Sequence, residues 1–315
     1  MPSTSGSTST TTPGLHPRNR HRGRYDFDRL LARSPALLPY LRPAPHGDRT
    51  IDFADPAAVL ALNRALFLAC YGLDTWSIPA GFLCPPVPGR ADHIHHAADL
   101  LAPAPGAEPP HGPQIRALDL GTGANLVYPI VGRAEYGWSF VGTDIDDTAL
   151  RNARRLVTEN GILRGGVELR RQADRNALLH GVVRPGERFD LTLCNPPFHP
   201  SAATAAAGSA RKVRNLGTAR AGAPALNFGG RAAELWCPGG EAGFLSRLIA
   251  ESEDYREQVR WFTALVSSRD TLPRLRRALA AARPAEVRTI EMAQGQKRSR
   301  LLAWTYSPAS GRAAR

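Results

Sequence analysis

The chain has 315 residues, 43% of them hydrophobic and 22% charged, enough apolar content for a sizeable core and a balance that excludes a wholly disordered chain. A formal charge of +12 and a pI near 10.4 point to a polyanionic partner, nucleic acid first. No apolar run is long enough for a membrane-spanning helix, Met1 to Thr12 lack the apolar core of a signal peptide, and the four cysteines (Cys70, Cys84, Cys194, Cys237) show no paired spacing, so a cytoplasmic protein without disulfides or a metal is expected.

Residues 1–14 are small and polar and read as a disordered tail. The run Leu15 to Tyr25 carries Arg18, Arg20, His21, Arg22 and Arg24 with no acid before Asp26, and reads as a positive arm for RNA phosphates. A solvated tail is its plainer alternative. Asp26 is a candidate cap for a short helix ending near Pro35, and Asp55-Pro56 opens a helix with Val59, Leu62, Leu66 and Cys70 on one face and Gly72 as its stop. Pro79 to Gly89 reads as extended, and Ala91 to Leu101 as a third helix. His93, His95 and His96 lie in that helix with no helical spacing to a carboxylate, so no metal site is expected there. These elements make residues 15–102 a basic, mainly helical N-terminal module, followed by a proline-rich linker at 103–113.

From residue 114 onward strands alternate with helices, the pattern of an α/β sheet. Strands are expected at Ile115 to Leu120, Trp138 to Thr143, Val167 to Arg171, Phe189 to Cys194 and Trp261 to Ser267. Helices are expected from Asp147, acting as the cap, to Asn160, from Gly240 to Gln258, and from Leu272 to Ala282. Glu286 to Met292 and Arg300 to Tyr306 close the chain as a β-hairpin whose turn carries Lys297 and Arg298. Residues 199–235 form a long segment with Arg211, Lys212 and Arg214 clustered, and read as a mobile substrate loop.

Two motifs carry chemistry. Asp119-x-Gly121-Thr122-Gly123-Ala124-Asn125 follows the first sheet strand, and Asp144 stands 21 residues beyond Gly123 at the end of the next. The glycines let the backbone approach a ligand, and the second-strand acid suits ribose hydroxyls. The turn lacks the third glycine of a pyrophosphate site, and Asp119 would repel phosphate but welcome an ammonium. S-adenosylmethionine, with a ribose, an ammonium and no phosphate, fits better than a nicotinamide dinucleotide. Asp174, shortly after the third strand, is a further candidate. The second motif is Asn195-Pro196-Pro197-Phe198 at the end of the fourth strand. Two prolines stop the strand abruptly and leave an amide and a ring at the sheet's C-terminal edge. The Asn195 side-chain oxygen and the Pro196 carbonyl form a pair of acceptors for a planar NH2 group, and Phe198 is placed to stack on a base. The expected fold is α/β, a Rossmann-like seven-stranded S-adenosylmethionine-dependent methyltransferase sheet over residues 114–315.

Beyond these motifs, Leu15-His16-Pro17-Arg18-Asn19-Arg20-His21, Asp52-Phe53-Ala54-Asp55-Pro56, Ile78-Pro79-Ala80, Cys84 through Asp92, Leu226-Asn227-Phe228-Gly229-Gly230 and Gln294-Gly295-Gln296-Lys297 resemble the bacterial 23S ribosomal RNA adenine-N6 methyltransferases of the RlmF family, related to a eukaryotic U6 small-nuclear-RNA adenine methyltransferase. The resemblance covers roughly residues 15 to 306. It implies methylation of one adenine, numbered 1618 in the family's name, in 23S rRNA or a large-subunit assembly intermediate, by a monomer acting away from membranes. It also implies that Arg90 reaches the cofactor's carboxylate. The alternatives are adenine methylation of another RNA or of DNA, glutamine N5 methylation of a protein, and an RNA-binding protein with a vestigial fold.

Overall fold

The computed structural model describes residues 14–44, 47–201, 204, 232–294 and 297–307. The expected cluster Arg211, Lys212 and Arg214, and the segment Leu226 to Gly230, lie outside the described residues. Chain order begins with α1 (Phe27–Arg33), a 3-10 turn (Pro35–Tyr40), the short hairpin β1 (Leu41–Pro43) and β2 (Arg49–Ile51), then α2 (Pro56–Cys70) and α3 (Val87–Leu101). The sheet strands are β3 (Arg116–Leu120), β4 (Ser139–Asp144), β5 (Val167–Arg171), β6 (Phe189–Cys194), β7 (Val259–Val266), β8 (Glu286–Gln294) and β9 (Lys297–Thr305). Helix α4 (Val127–Tyr136) joins β3 to β4, and α5 (Asp147–Glu159) joins β4 to β5. Helices Gly240–Ser252 and Leu272–Ala282 flank β7 in sequence.

Seven strands pair in the order β5-β4-β3-β6-β7-β9-β8, the first five parallel and β9 antiparallel to both its neighbours. The chain winds outward from β3 to β5 and then returns to the other side of β3 as β6. The crevice at the C-terminal ends of β3 and β6 is therefore the switch point where α/β folds bind ligands. Leu120 is paired with Cys194, which sets Gly121 and Asn195 side by side.

Alternate residues along the strands feed two cores, one on each face. Ala117, Leu191, Leu193, Trp261 and Leu301 pack with α1 to α4. Leu118, Leu120, Phe262, Leu302 and Trp304 pack with helices Gly240–Ser252 and Leu272–Ala282. The first core is continuous from Phe27 to Ala303, so the segment expected as a separate N-terminal module shares its interior with the sheet. The proline-rich stretch 103–113 is pinned to the same body: Trp138 Nε1 donates to the Pro110 carbonyl at 2.9 Å, and Gly112 N–H to the Tyr136 carbonyl at 2.8 Å.

Several boundaries differ from expectation for local reasons. Helix α3 begins at Val87, since Pro88 stands in the first turn where no donor is required, and this brings Arg90 into the helix. Asp146, not Asp147, caps α5, accepting from Thr148 and Ala149 N–H at 2.7 and 3.0 Å, while Asp147 pairs with Arg171. The helix from Gly240 ends at Ser252, whose hydroxyl bonds the Ile249 carbonyl and receives Trp304 Nε1. Helix α4 has no counterpart among the sequence expectations.

The basic arm is folded onto the body. His16 N–H donates to Asp92 Oδ1 at 2.6 Å, and Asn19 Nδ2 to the Pro88 carbonyl at 2.9 Å. Arg18 binds Asp99 at 2.5 Å and the Tyr136 hydroxyl at 3.0 Å. Arg20 grips both oxygens of Glu135, at 2.6 and 3.1 Å, and Arg24 pairs with Asp48. His21 is buried against the Tyr71 hydroxyl at 2.7 Å. Burial lowers its pKa to about 4, so His21 is a neutral core group and not the RNA contact expected of it. His96 also departs from expectation: Asp92 lies one turn before it, 3.7 Å from its Nε2, and His16, His96 and Asp99 place ligand-type atoms within 4.8 Å of one another. The Asp99 carboxylate in that group is committed to Arg18 and His16.

Candidate active site

A cavity of about 250 Å³ opens at the switch point. Its floor is the turn after β3. Gly121 and Gly123 take φ of +76° and +65°, a region that costs a side chain dearly, and so the chain reverses within three residues. Gly121 and Thr122 N–H both donate to the Thr143 carbonyl, at 3.0 and 2.8 Å. Gly123 N–H donates to Asp144 Oδ2 at 2.9 Å, while Asp144 Oδ1 accepts from Asp146 N–H at 2.9 Å. Each carboxylate oxygen retains a lone pair for a further donor, which suits the two hydroxyls of a ribose. Burial raises the Asp144 pKa, with backbone N–H groups opposing the shift.

Of the expected cofactor residues, Arg90, Gly121, Thr122, Gly123, Asn125, Asp144 and Asn195 line this cavity. Asp119 lies just beneath it, only 1% exposed. Neither of its carboxylate oxygens has a hydrogen-bond partner among the described residues. Burial pushes its pKa up to about 7, repulsion from Asp144 adds to the rise, and the Arg90 cation opposes it. Asp174 is exposed, does not line the cavity, and accepts the Asn176 N–H at 2.8 Å. Gln172, buried directly after β5, faces the cavity instead. Phe82, Leu83 and Pro85 from the proline-rich approach to α3 also line it, with Ala177, Leu178 and Phe244. Glu234 and Trp236 close one side, where Leu83 N–H donates to Glu234 Oε2 at 3.0 Å. No sequence signal marked Tyr128, Glu234 or Trp236, because each is brought to the cavity by contacts distant in sequence.

The Asn-Pro-Pro-Phe corner stands at the mouth. Pro197 lines the first cavity and Phe198 a smaller one of about 40 Å³, while Asn195 and Arg90 line both. Pro196 is buried between them. Asn195 Oδ1 is buried without a hydrogen-bond partner among the described residues. Beyond the corner, His199 N–H donates to the Leu235 carbonyl at 3.0 Å and Cys237 N–H to the His199 carbonyl at 3.1 Å. The returning chain thereby fixes the exit of Phe198.

The donor set fits S-adenosylmethionine: a paired acid for the ribose, a cation and an uncompensated buried acid for an amino-acid zwitterion, and no pyrophosphate cradle. A doubly wound sheet with this site at its switch point defines an S-adenosylmethionine-dependent methyltransferase. A family model described as RNA methyltransferase matches residues 9–308. "Ribosomal RNA large subunit methyltransferase F" of Yersinia pestis (strain Pestoides F) is 54% identical over 294 residues, covering 93% of this chain and 88% of the relative. The protein of the same name from Cronobacter sakazakii is 55% identical, covering 93% and 94%. Among solved structures, the hMettl16 catalytic domain in complex with MAT2A 3'UTR hairpin 1 superposes with a TM-score of 0.78 at 28% identity, covering 93% of this chain and 96% of that one. The N-terminal domain of human METTL16 in complex with SAH gives 0.72 at 25% identity, covering 93% and 99%. The chain belongs to this RNA methyltransferase family.

Proposed function

We propose that the protein methylates the N6 amine of one adenine in 23S ribosomal RNA. The observation that carries the reading is Asn195: its Oδ1 is buried and unpartnered, and its residue lines both the cofactor cavity and the smaller one beside Phe198. An unmet buried acceptor costs about 1–3 kcal/mol, which an incoming N–H donor removes. The relatives' names favour ribosomal RNA as the polymer.

When bound, the cofactor supplies an electrophilic methyl group on a sulfonium. Asn195 Oδ1 and the Pro196 carbonyl accept the two amine hydrogens, and Phe198 stacks on the base. An aromatic amine is a poor nucleophile because its lone pair is shared with the ring. Two fixed acceptors favour the pyramidal geometry in which that pair is free to form the new N–C bond as the C–S bond breaks. The extra proton leaves after transfer, so no general base of matched pKa is required, and rate comes from positioning and electrostatic fit. Arg90 receives the cofactor's carboxylate and Asp119 its ammonium, with Asp144 on the ribose. Arg22 and Arg298, both exposed, join Lys297 and the cluster Arg211, Lys212 and Arg214 as phosphate contacts. Arg18, Arg20 and Arg24 serve the RNA indirectly by anchoring the arm to Asp99, Glu135 and Asp48.

The test is methyl transfer from labelled cofactor to total RNA of a strain lacking the gene, with the labelled nucleotide mapped. A single N6-methyladenine in 23S rRNA is expected. Label on another nucleoside, or on protein alone, would overturn the reading.

A further inference from the structure

A directed chain of hydrogen bonds leads from the cofactor cavity into the sheet. Arg90 on α3 hydrogen-bonds the Tyr128 hydroxyl on α4. That hydroxyl meets His93 Nδ1 at 2.8 Å, and His93 Nε2 lies 3.2 Å from Thr263 Oγ1 on β7. Thr263 donates its hydroxyl proton to the Thr192 carbonyl on β6 at 2.6 Å. The two ends fix the direction, because a guanidinium only donates and a carbonyl only accepts. Tyr128 therefore accepts from Arg90 and gives its one proton to Nδ1, and His93 carries its own proton on Nε2. No other placement of hydrogens satisfies all four contacts. Tyr128, His93 and Thr263 are 3%, 0% and 0% exposed, so losing one link strands buried partners rather than handing them to water.

The chain has a reason to exist in the neighbourhood of Asp119. That carboxylate lacks a hydrogen-bond partner among the described residues although the Arg90 cation is close enough to act on it. Left unrestrained, Arg90 would turn to the acid and close a salt bridge, filling the place of an amino-acid zwitterion. We propose that Tyr128, His93 and Thr263 are positioning residues that hold the Arg90 guanidinium away from Asp119, so that cation and acid stay separately available to the carboxylate and ammonium of the cofactor's amino-acid end. The proposal rests on the reading of Arg90 as the carboxylate's partner.

Two ligands separate this from a general packing role: S-adenosylhomocysteine, and 5′-methylthioadenosine, which keeps the nucleoside and lacks the amino-acid end. Calorimetry on the full chain gives the ratio of their affinities. Tyr128→Phe should lower that ratio about tenfold, the loss expected of a hydrogen bond to a charged group. Thr263→Val, which cuts the chain at its far end while nearly keeping shape, should lower it by a smaller factor, about threefold. Affinity for 5′-methylthioadenosine should hold in both, and Tyr128→Phe should add nothing in an Arg90→Ala background. If Arg90→Ala lowers the ratio while Tyr128→Phe and Thr263→Val leave it at the wild-type value, the positioning role is overturned and the reading of Arg90 survives. If Arg90→Ala itself leaves the ratio unchanged, both fall. Equal losses for the two ligands would mark plain damage to the cavity and overturn the positioning role as well.

Discussion

Cofactor affinity should depend on pH through Asp119. With its pKa raised to about 7 by burial, this carboxyl is largely protonated in the free enzyme below neutrality. An ammonium set against it favours the anion, so binding below pH 7 must release one proton. Apparent affinity then rises about tenfold per pH unit below 7 and levels off above it, giving roughly a tenfold gain from pH 6 to pH 8. The folding sign is opposite. A carboxyl whose folded pKa lies above its unfolded value costs stability at higher pH, here growing from about pH 4 to about pH 7 and reaching on the order of 4 kcal/mol. The free protein should therefore be more stable at pH 5 than at pH 8, with the difference narrowing when S-adenosylhomocysteine is bound. Calorimetric titration with that ligand from pH 5.5 to 8.5, in buffers of different ionisation enthalpy, reads both the affinity and the proton count. Asp119→Asn is the control, expected to bind more weakly and without the slope. A flat wild-type profile across neutrality, or the same slope in Asp119→Asn, would refute the reasoning.

Asn195→Ala should lower turnover on the order of 10²–10³ in single-turnover methyl transfer, as for loss of a preorganised polar contact, and near-normal turnover by a folded variant would remove Asn195 from the chemistry. Gly132→Ala should destabilise by about 1–3 kcal/mol, because a Cβ there would stand 2.2 Å from the Phe140 ring where α4 crosses β4; an unchanged melting temperature would mean that the helix slides freely. Arg20→Ala should cost about 1 kcal/mol or less through Glu135 and leave the salt dependence of RNA binding intact, whereas Arg22→Ala should lower that slope by about one; the reverse result would assign the contacts the other way. Glu187→Gln should lose on the order of 2 kcal/mol at neutral pH in urea unfolding, since Arg170 binds both Glu187 oxygens, at 2.6 and 2.7 Å. Arg170 holds the Glu187 pKa down to about 2 from 4.5, so this contribution is lost as pH falls from about 4.5 to about 2, and a gap between variant and wild type that persisted below that window would exclude the ion pair as its source.

What the sequence disclosed is what short-range physics writes into it. Asp55-Pro56 opens α2 because a side-chain acceptor and a residue without a donor suit the first turn of a helix, and the acceptor's bond to Ala57 N–H, at 2.9 Å, is the one expected. The two glycines after β3 mark the turn because few other residues take their backbone angles. Helix α4 stayed hidden because Pro129 and Gly132 look like breakers in isolation. Pro129 falls in the first turn, where its missing donor costs nothing, and Gly132 is demanded by Phe140 across the core. Asp174 and Gln172 were indistinguishable by spacing, and only the fold shows which of them faces the cavity.

The arm gives the sharpest instance of long-range control. Arginine at alternate positions with no nearby acid reads locally as a free cationic tail. Its partners Asp99 and Glu135 stand 81 and 115 positions away, and Asp92, which receives the His16 N–H, stands 76 away. Ion pairs that reach this far act as staples between the chain's start and the helices that carry Arg90 and Tyr128. Arg18 touches the His95 carbonyl on α3 and the Tyr136 hydroxyl on α4 at once, at 3.2 and 3.0 Å. The same two helices supply the first links of the chain that orients Arg90. Half-exposed pairs are worth little individually, so the consequence of loosening the arm falls less on global stability than on the registry of α3 against α4, and through it on the geometry of the carboxylate site.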